Sequence, residues 1–258
     1  MDLNAVNVEI CFEQLDARTG RPSFGVARIV RSSQASSTLP VGGCVLAPTS
    51  DMSMTREIGP SECVLLEPGL PSTRAMLIPE LALALAVCAS ARLELGEIAV
   101  YTSGARHGAL IALVAGWCTG RDVIRIEFDD AAGVVPAGVQ TVDGSDTQRA
   151  LEIIQRSTHN AAGFAAILLS SKSEAMDVLL ETMPTWGRLV LASESTESTT
   201  IDFYNNVHRK GVTVLAMPET PLWVFDSSRR IDSRPFLRRA MRVMQCDALA
   251  NACLAVVT

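Results

Sequence analysis

The sequence predicts an α/β protein: a doubly wound parallel sheet flanked by helices, joined to a smaller β-rich unit. Three observations carry this. From Glu97 onward, short apolar runs at 97–102, 122–128, 139–142, 164–169, 187–192 and 212–217 alternate with helix-forming runs, which is the rhythm of β-α-β crossovers. Most of these runs are predominantly apolar rather than apolar at every second residue, as strands of a parallel sheet covered on both faces are. The first quarter instead holds strand-like runs with no helical pattern between them. Composition agrees, since 48% hydrophobic and 19% charged residues suit a packed globular chain and exclude disorder.

The elements follow in order. Residues 5–12, 24–31 and 41–47 are short Val-, Ile- and Leu-rich strands, separated by the turn-forming clusters Arg18–Pro22 and Ser32–Pro40. Cys63–Glu67 is a further strand, and a long apolar helix starts near Thr73. Its most apolar part, Ala75–Leu93, is interrupted by Pro79, Glu80 and Arg92, so it reads as a buried helix rather than a bilayer span. Ser145-Asp-Thr-Gln148 is a capping box ahead of Ala150, Leu151, Ile153 and Ile154, which share one helix face. Ser171-Lys-Ser-Glu174 is a second, ahead of Ala175, Val178, Leu179 and Met183, and Pro184 and Gly187 stop that helix. After Pro221 come an amphipathic helix, about 234–246, and a short apolar tail, Leu254–Thr258. The boundaries expected are 1–92, 93–220 and 221–258.

One stretch carries chemistry. Glu97-Ile-Ala-Val-Tyr-Thr-Ser-Gly-Ala-Arg-His-Gly108 runs from an apolar strand through a small-residue turn into the apolar helix Ala-Leu-Ile-Ala-Leu-Val-Ala, and a second strand ends on Glu127. This is the order of a dinucleotide-binding βαβ unit, in which backbone amides and a helix N-terminus meet a pyrophosphate. Glu127 falls 19 positions after Gly108, close to the roughly 20 at which a carboxylate hydrogen-bonds an adenosine ribose. The turn is degenerate against G-x-G-x-x-G: Gly108 is in register, while Ser103 and Ala105 stand in the first two glycine positions.

Charge and cysteine usage narrow the partners. A net charge of −6 argues against a nucleic-acid surface, and the basic run Arg229-Arg230 to Arg238-Arg239 reads as a solvated helix face. The N-terminal residues have no basic n-region and no apolar core, so no signal peptide is expected. Seven scattered cysteines with no C-x-x-C pair read as reduced, buried thiols of a cytoplasmic protein.

Several segments, in order, carry a resemblance. Phe24-Gly-Val-Ala-Arg-Ile-Val30 and Val41-Gly-Gly-Cys-Val-Leu-Ala-Pro48 are similar to a glycine-bearing strand and a V-G-D-R-V-x-A-P segment. Leu95-Gly-Glu-Ile-Ala-Val100, Trp186-Gly-Arg-Leu-Val-Leu191 and His208-Arg-Lys-Gly-Val-Thr-Val-Leu215 are similar to G-E-x-V-L-V, P-G-G-R-x-V-L and R-K-x-x-x-I-x-G. Together they resemble the medium-chain dehydrogenase/reductase superfamily, the alcohol-dehydrogenase-like oxidoreductases. The resemblance implies a truncated GroES-like catalytic domain with connecting helix over 1–92, a Rossmann dinucleotide-binding domain over 93–220 and a return to the catalytic domain over 221–258. The departures are informative. The early zinc-binding cysteine, the Gly-His-Glu motif and the four-cysteine structural lobe are absent, and few residues separate Pro48 from Cys63, where zinc members carry a long insert. His107, His159 and His208 all lie in the nucleotide-domain region. No set of three or four ligands of the kind tetrahedral zinc needs is visible.

The expected cofactor site comprises Ser103, Gly104, Ala105, Arg106, His107 and Gly108 around a pyrophosphate, with Arg106 adding a charge-assisted contact. Glu127 is placed on the ribose, favouring NAD(H) over NADP(H), with Asp129 and Asp130 as rival acids. Ser170 and Ser193 follow the fourth and fifth strands at the ligand-binding edge. Against a working site stand the methyl of Ala105 and the bulk of Arg106 and His107, which also suit a relic turn. No catalytic residue is identified. Two functions are implied: a zinc-independent NAD(P)-dependent oxidoreductase transferring hydride to a small carbonyl or enoyl metabolite, and a non-redox descendant such as a pseudoenzyme, an assembly partner or an enzyme reusing the cleft. The resemblance also implies a homodimer through the Rossmann sheet edge at Val212–Met217. Neither nucleic acid nor membrane is expected as a partner.

Overall fold

In the computed structural model the alternation that begins at Glu97 becomes a six-stranded, all-parallel sheet. The structure describes residues 8–15, 23–32, 39–49, 55–58, 63–102, 107–128, 134–159, 161–170, 172–192, 200–217 and 234–257. The chain divides into two compact units, Met1–Ala82 with Thr220–Leu254, and Leu83–Glu219 with Ala255–Thr258.

The first unit is built on an antiparallel sheet of β1 (Val8–Leu15), β2 (Ser23–Ser32), β3 (Cys44–Thr49), β4 (Thr55–Ile58) and β5 (Val64–Leu65), in the order β4-β1-β2-β3-β5. Its core gathers Ala27, Ile29, Leu39, Val45, Ala47, Ile58 and Cys63. Strand β4 was not expected from the sequence, because Thr-Arg-Glu-Ile has no run of apolar residues. It is made by pairing with β1. The predicted 41–47 strand starts later, since Pro40–Gly43 form a turn in which Gly42 takes φ +84.

The apolar helix divides into α1 (Ser72–Ala75) and α2 (Ile78–Ser90), with Pro79 in the first turn of α2, where a missing N–H costs nothing. Ser72–Ser90 is long and apolar enough to span a membrane. Leu81, Ala84, Val87 and Cys88 are instead buried within the protein, as core-helix residues are. Helix α6 (Arg234–Gln245) is amphipathic, with Leu237, Ala240, Met241 and Met244 buried and Arg238, Arg239 and Arg242 exposed. Arg238 and Arg239 thus lie on a solvated face as expected, while Arg229 and Arg230 of the same run lie outside the described residues. The expected apolar tail is largely a further helix, α7 (Asp247–Ala255), which buries Ala250 and Cys253. Arg74 of α1 pairs with Asp247 at 2.7 Å. Of the described cysteines, all free, Cys63, Cys88 and Cys253 are buried but Cys246 is exposed, so burial does not extend to every thiol.

The second unit contains β6 (Ile98–Thr102), α3 (Gly108–Thr119), β7 (Val123–Glu127), β8 (Val139–Asp143), α4 (Thr147–Thr158), β9 (Phe164–Leu168), α5 (Ser173–Thr182), β10 (Arg188–Leu191) and β11 (Thr213–Ala216). The spatial order is β11-β10-β9-β6-β7-β8. This is the doubly wound arrangement, whose winding reverses between β6 and β9. Helices α4 and α5 cover one face, where Ile98, Val100, Ile124, Ile126, Phe164, Ala166, Ala150, Ile154, Val178 and Leu179 share a core. Helix α3 packs on β6 and β7.

Local starts differ from the sequence reading. Helix α4 is capped by Asp146, whose carboxylate accepts from Arg149 N at 3.0 Å, and not by Ser145. The Ser145 hydroxyl and amide both donate to Asp143 Oδ1, so the shorter loop to the strand-end acid wins. Helix α5 starts at Ser173 after Lys172, whose side chain makes no cap bond, and Ser171 lies outside the described residues. Between β10 and β11 the segment holding Tyr204 is a π-helix, Phe203–His208, capped by Asp202.

Candidate functional site

In an open parallel sheet the ligand edge lies outside the strand C-termini where the winding reverses, here between β6 and β9. Thr102 ends β6 and is fully buried. Its Oγ1 accepts from the amides of Leu169 at 2.8 Å and Ser170 at 3.0 Å, clasping the two strand ends that diverge at the switch. Ser170 is itself buried, and its Oγ accepts from Lys172 N at 3.2 Å. The hydroxyl thus helps form the turn into α5.

Of the predicted turn, Ser103, Gly104, Ala105 and Arg106 lie outside the described residues, as do Ser193, Asp129 and Asp130. His107 is half-buried and is the residue before α3; its carbonyl accepts from Ile111 N at 3.0 Å, and its side chain does not cap the helix. Gly108 opens α3. A methyl added there would sit 3.4 Å from Tyr101 Cε2 and 3.7 Å from Leu169 Cδ1, which is ordinary contact. Gly108 therefore joins the helix to both switch-point strands, but close packing does not demand a glycine.

Glu127 ends β7 half-buried, beside Asp143 in the β7–β8 register. Its Oε1 accepts from Arg125 Nη2 at 2.6 Å, with side-chain exposures of 32% for the acid and 6% for the arginine. Residues i and i+2 of a strand share a face, so the charge partner comes from within the same strand. Tyr101 lies opposite Arg125 in the β6–β7 register. Burial pushes the Tyr101 phenol up to about 12; the Arg125 cation opposes the shift and Glu127 reinforces it. On the β9–α5 side, Lys172 Nζ donates to the Phe128 carbonyl at 3.0 Å, one residue past Glu127.

The structure thus gathers Gly108, Glu127 and Ser170 along one sheet edge and adds Thr102, Arg125 and Lys172, which were not singled out in the sequence. Arg125 carried a signal, being a charged residue inside the otherwise apolar run Val123-Ile-Arg-Ile. Thr102 and Lys172 carried none, because their roles depend on contacts across 67 and 44 residues of chain. Among the described residues no group of three His, Cys, Asp or Glu side chains converges as a metal site.

Galactitol-1-phosphate dehydrogenase from Escherichia coli superposes with TM-score 0.70 at 10% identity, over 95% of this chain and 82% of that one. 2-Haloacrylate reductase gives 0.71 at 11% identity, over 96% and 85%. A dehydrogenase from Sinorhizobium meliloti 1021, described as zinc-binding and bound to NADP, gives 0.69 at 12% identity, over 100% and 90%. The chain has the medium-chain dehydrogenase/reductase fold. No family model and no curated protein sequence matches it. The medium-chain fold accounts for both units, the small antiparallel sheet and the doubly wound parallel one.

Proposed function

We propose that this chain is a zinc-independent, NAD(P)-dependent oxidoreductase acting on a small carbonyl or enoyl metabolite. The observation that carries the reading is the switch point itself. The N-terminus of α3, left uncapped by the side chain before it, opens beside the ends of β6 and β9, and a strand-end acid, Glu127, lies on the neighbouring strand. These parts fit a dinucleotide: amides of the first turn of α3 would hold the pyrophosphate, and the Glu127 carboxylate would accept from a ribose hydroxyl. When bound, the nicotinamide supplies or accepts the hydride. Thr102 holds the β9 end in place beneath the cofactor track, and Ser170 shapes the turn that follows. Zinc independence rests on the missing ligand motifs in the sequence. The oxidoreductases named above share this fold and lend the reading its reaction class.

Titration of the purified chain with NADH and NADPH, followed through Trp117 and Trp186 emission, tests it. Binding below about 1 mM of at least one reduced dinucleotide is expected, and where NADH binds, Glu127→Ala should weaken it about tenfold. No binding of either would overturn it in favour of a non-redox descendant, the reading favoured by Ser103 and Ala105 standing where glycines approach phosphate.

The same reading includes a homodimer through β11, an edge strand of the parallel sheet among the described residues. Thr213, Val214 and Ala216 are exposed along it, and an open apolar edge is a liability that pairing removes. Sedimentation as a monomer would refute this. A cytoplasmic location remains part of the proposal, testable by fractionation.

A further inference from the structure

The expectation that Glu127 selects NAD(H) assumes an unopposed carboxylate, which would repel a 2′-phosphate. The structure gives it a partner. Arg125 is buried, is rooted in the same strand and binds Glu127 Oε1 at 2.6 Å, while about a third of the Glu127 side chain stays exposed. A guanidinium is charged at every relevant pH, so the pair presents a compensated dipole at the strand end rather than a net negative charge. A second cation stands close by, because Lys172 Nζ is fixed on the carbonyl of Phe128, the next residue. Asp143 lies in register with Glu127, but its carboxylate is engaged by the Ser145 hydroxyl and amide, with Arg149 as its nearby countercharge.

We propose that Arg125 is a specificity-determining residue: by neutralising Glu127 from within β7, it allows the ribose end of the site to accept a 2′-phosphate, so that NADP(H) binds at least as well as NAD(H). This inference rests on the dinucleotide reading above and deepens it. Arg125 acts through electrostatics and not by reaching the ligand. Removing it therefore converts Glu127 into the usual discriminating acid, and removing the acid instead takes away the carboxylate that repels a 2′-phosphate.

The test uses two cofactor fragments, ADP-ribose and 2′-phospho-ADP-ribose, titrated into the full chain by calorimetry at fixed salt. The wild type is expected to bind the 2′-phosphorylated fragment as tightly as ADP-ribose or more tightly. Arg125→Met should weaken the phosphorylated fragment about 10- to 100-fold while changing ADP-ribose less than about threefold, the selectivity of a charge effect. Glu127→Gln should shift the ratio the other way, and it decides the matter if Arg125→Met does not fold. The inference is overturned by a wild-type preference for ADP-ribose of about tenfold or more, equal loss of both fragments in Arg125→Met, no change in the ratio in Glu127→Gln, or a 2′-phosphate accepted only after Asp129→Asn with Asp130→Asn. ADP-ribose bound with the phosphorylated fragment rejected removes the inference alone. Binding of neither fragment removes the dinucleotide reading and this inference with it.

Discussion

Two arginine–carboxylate pairs lie at opposite ends of the parallel sheet, and they are built the opposite way round. At the strand starts, Glu97 is buried and Arg188 is the partner with more access to water, with exposures of 5% and 21%. At the strand ends, Arg125 is buried and Glu127 is the accessible partner, 6% against 32%. The first pair is tied into the backbone around it. Glu97 Oε2 also accepts from Glu94 N at 2.8 Å, Arg188 Nε donates to Ala91 O at 2.7 Å, and Gly163 leaves no space for a methyl beside Glu97. The second pair keeps its acceptor turned toward solvent. A closed network fixes the fold, because every charge is already matched; a pair open on its acid can still meet a ligand.

The sharpest way to break this comparison is Glu97→Ala, which leaves Arg188 uncompensated in a partly buried site. We expect a loss of about 3 kcal/mol of unfolding free energy, read from urea denaturation. A loss as small as that of a surface pair would make the two ends equivalent. Next comes Tyr101, whose folded value of about 12 lies above the ordinary 10. Its contribution is fully present below pH 10 and is lost as pH rises toward 12, about 2–3 kcal/mol. Stability measured against pH should fall over that window in the wild type, and Tyr101→Phe should lack this component. Thr102→Val deprives two buried amides of their acceptor. A cost of about 2 kcal/mol, with faster amide exchange at Leu169 and Ser170, is expected. Glu127→Gln should cost under about 1 kcal/mol, since a pair this open to water is screened; a loss matching Glu97→Ala would make it a structural pair. The smallest effect is Arg92→Gly. Arg92 is exposed and holds φ +50, so thermal denaturation should show a gain of up to about 0.5 kcal/mol from relieved strain, less the added freedom of the unfolded chain.

Much of this was legible beforehand. The strands from 97 to 217 lie within a residue or two of where the sequence puts them; β6, β7 and β9 are buried along nearly their whole length and so are mostly apolar, while the edge strands β8 and β11 are largely exposed. Helix α6 was visible in its alternation of arginines and apolar residues. Strand β4 and the π-helix at Phe203–His208 were not, since neither has a periodic apolar pattern and each is made by what surrounds it. Gly108 and Glu127 could be named from their spacing. The partner of Glu127 could not, although Arg125 stands only two residues away, because sequence spacing does not say that the arginine folds back on the acid.

By itself the sequence determined the α/β class, the order of the strands along the chain and the position of the turn and acid on which the proposed dinucleotide site rests. These depend on local periodicity and on residue types at fixed separations. Only the tertiary structure decided what the site's charges amount to. The winding of the sheet brings Thr102 to Ser170 and Lys172 to Phe128, and it buries Arg125 against Glu127. The net field at a strand end is the sum of groups that long-range packing brings together.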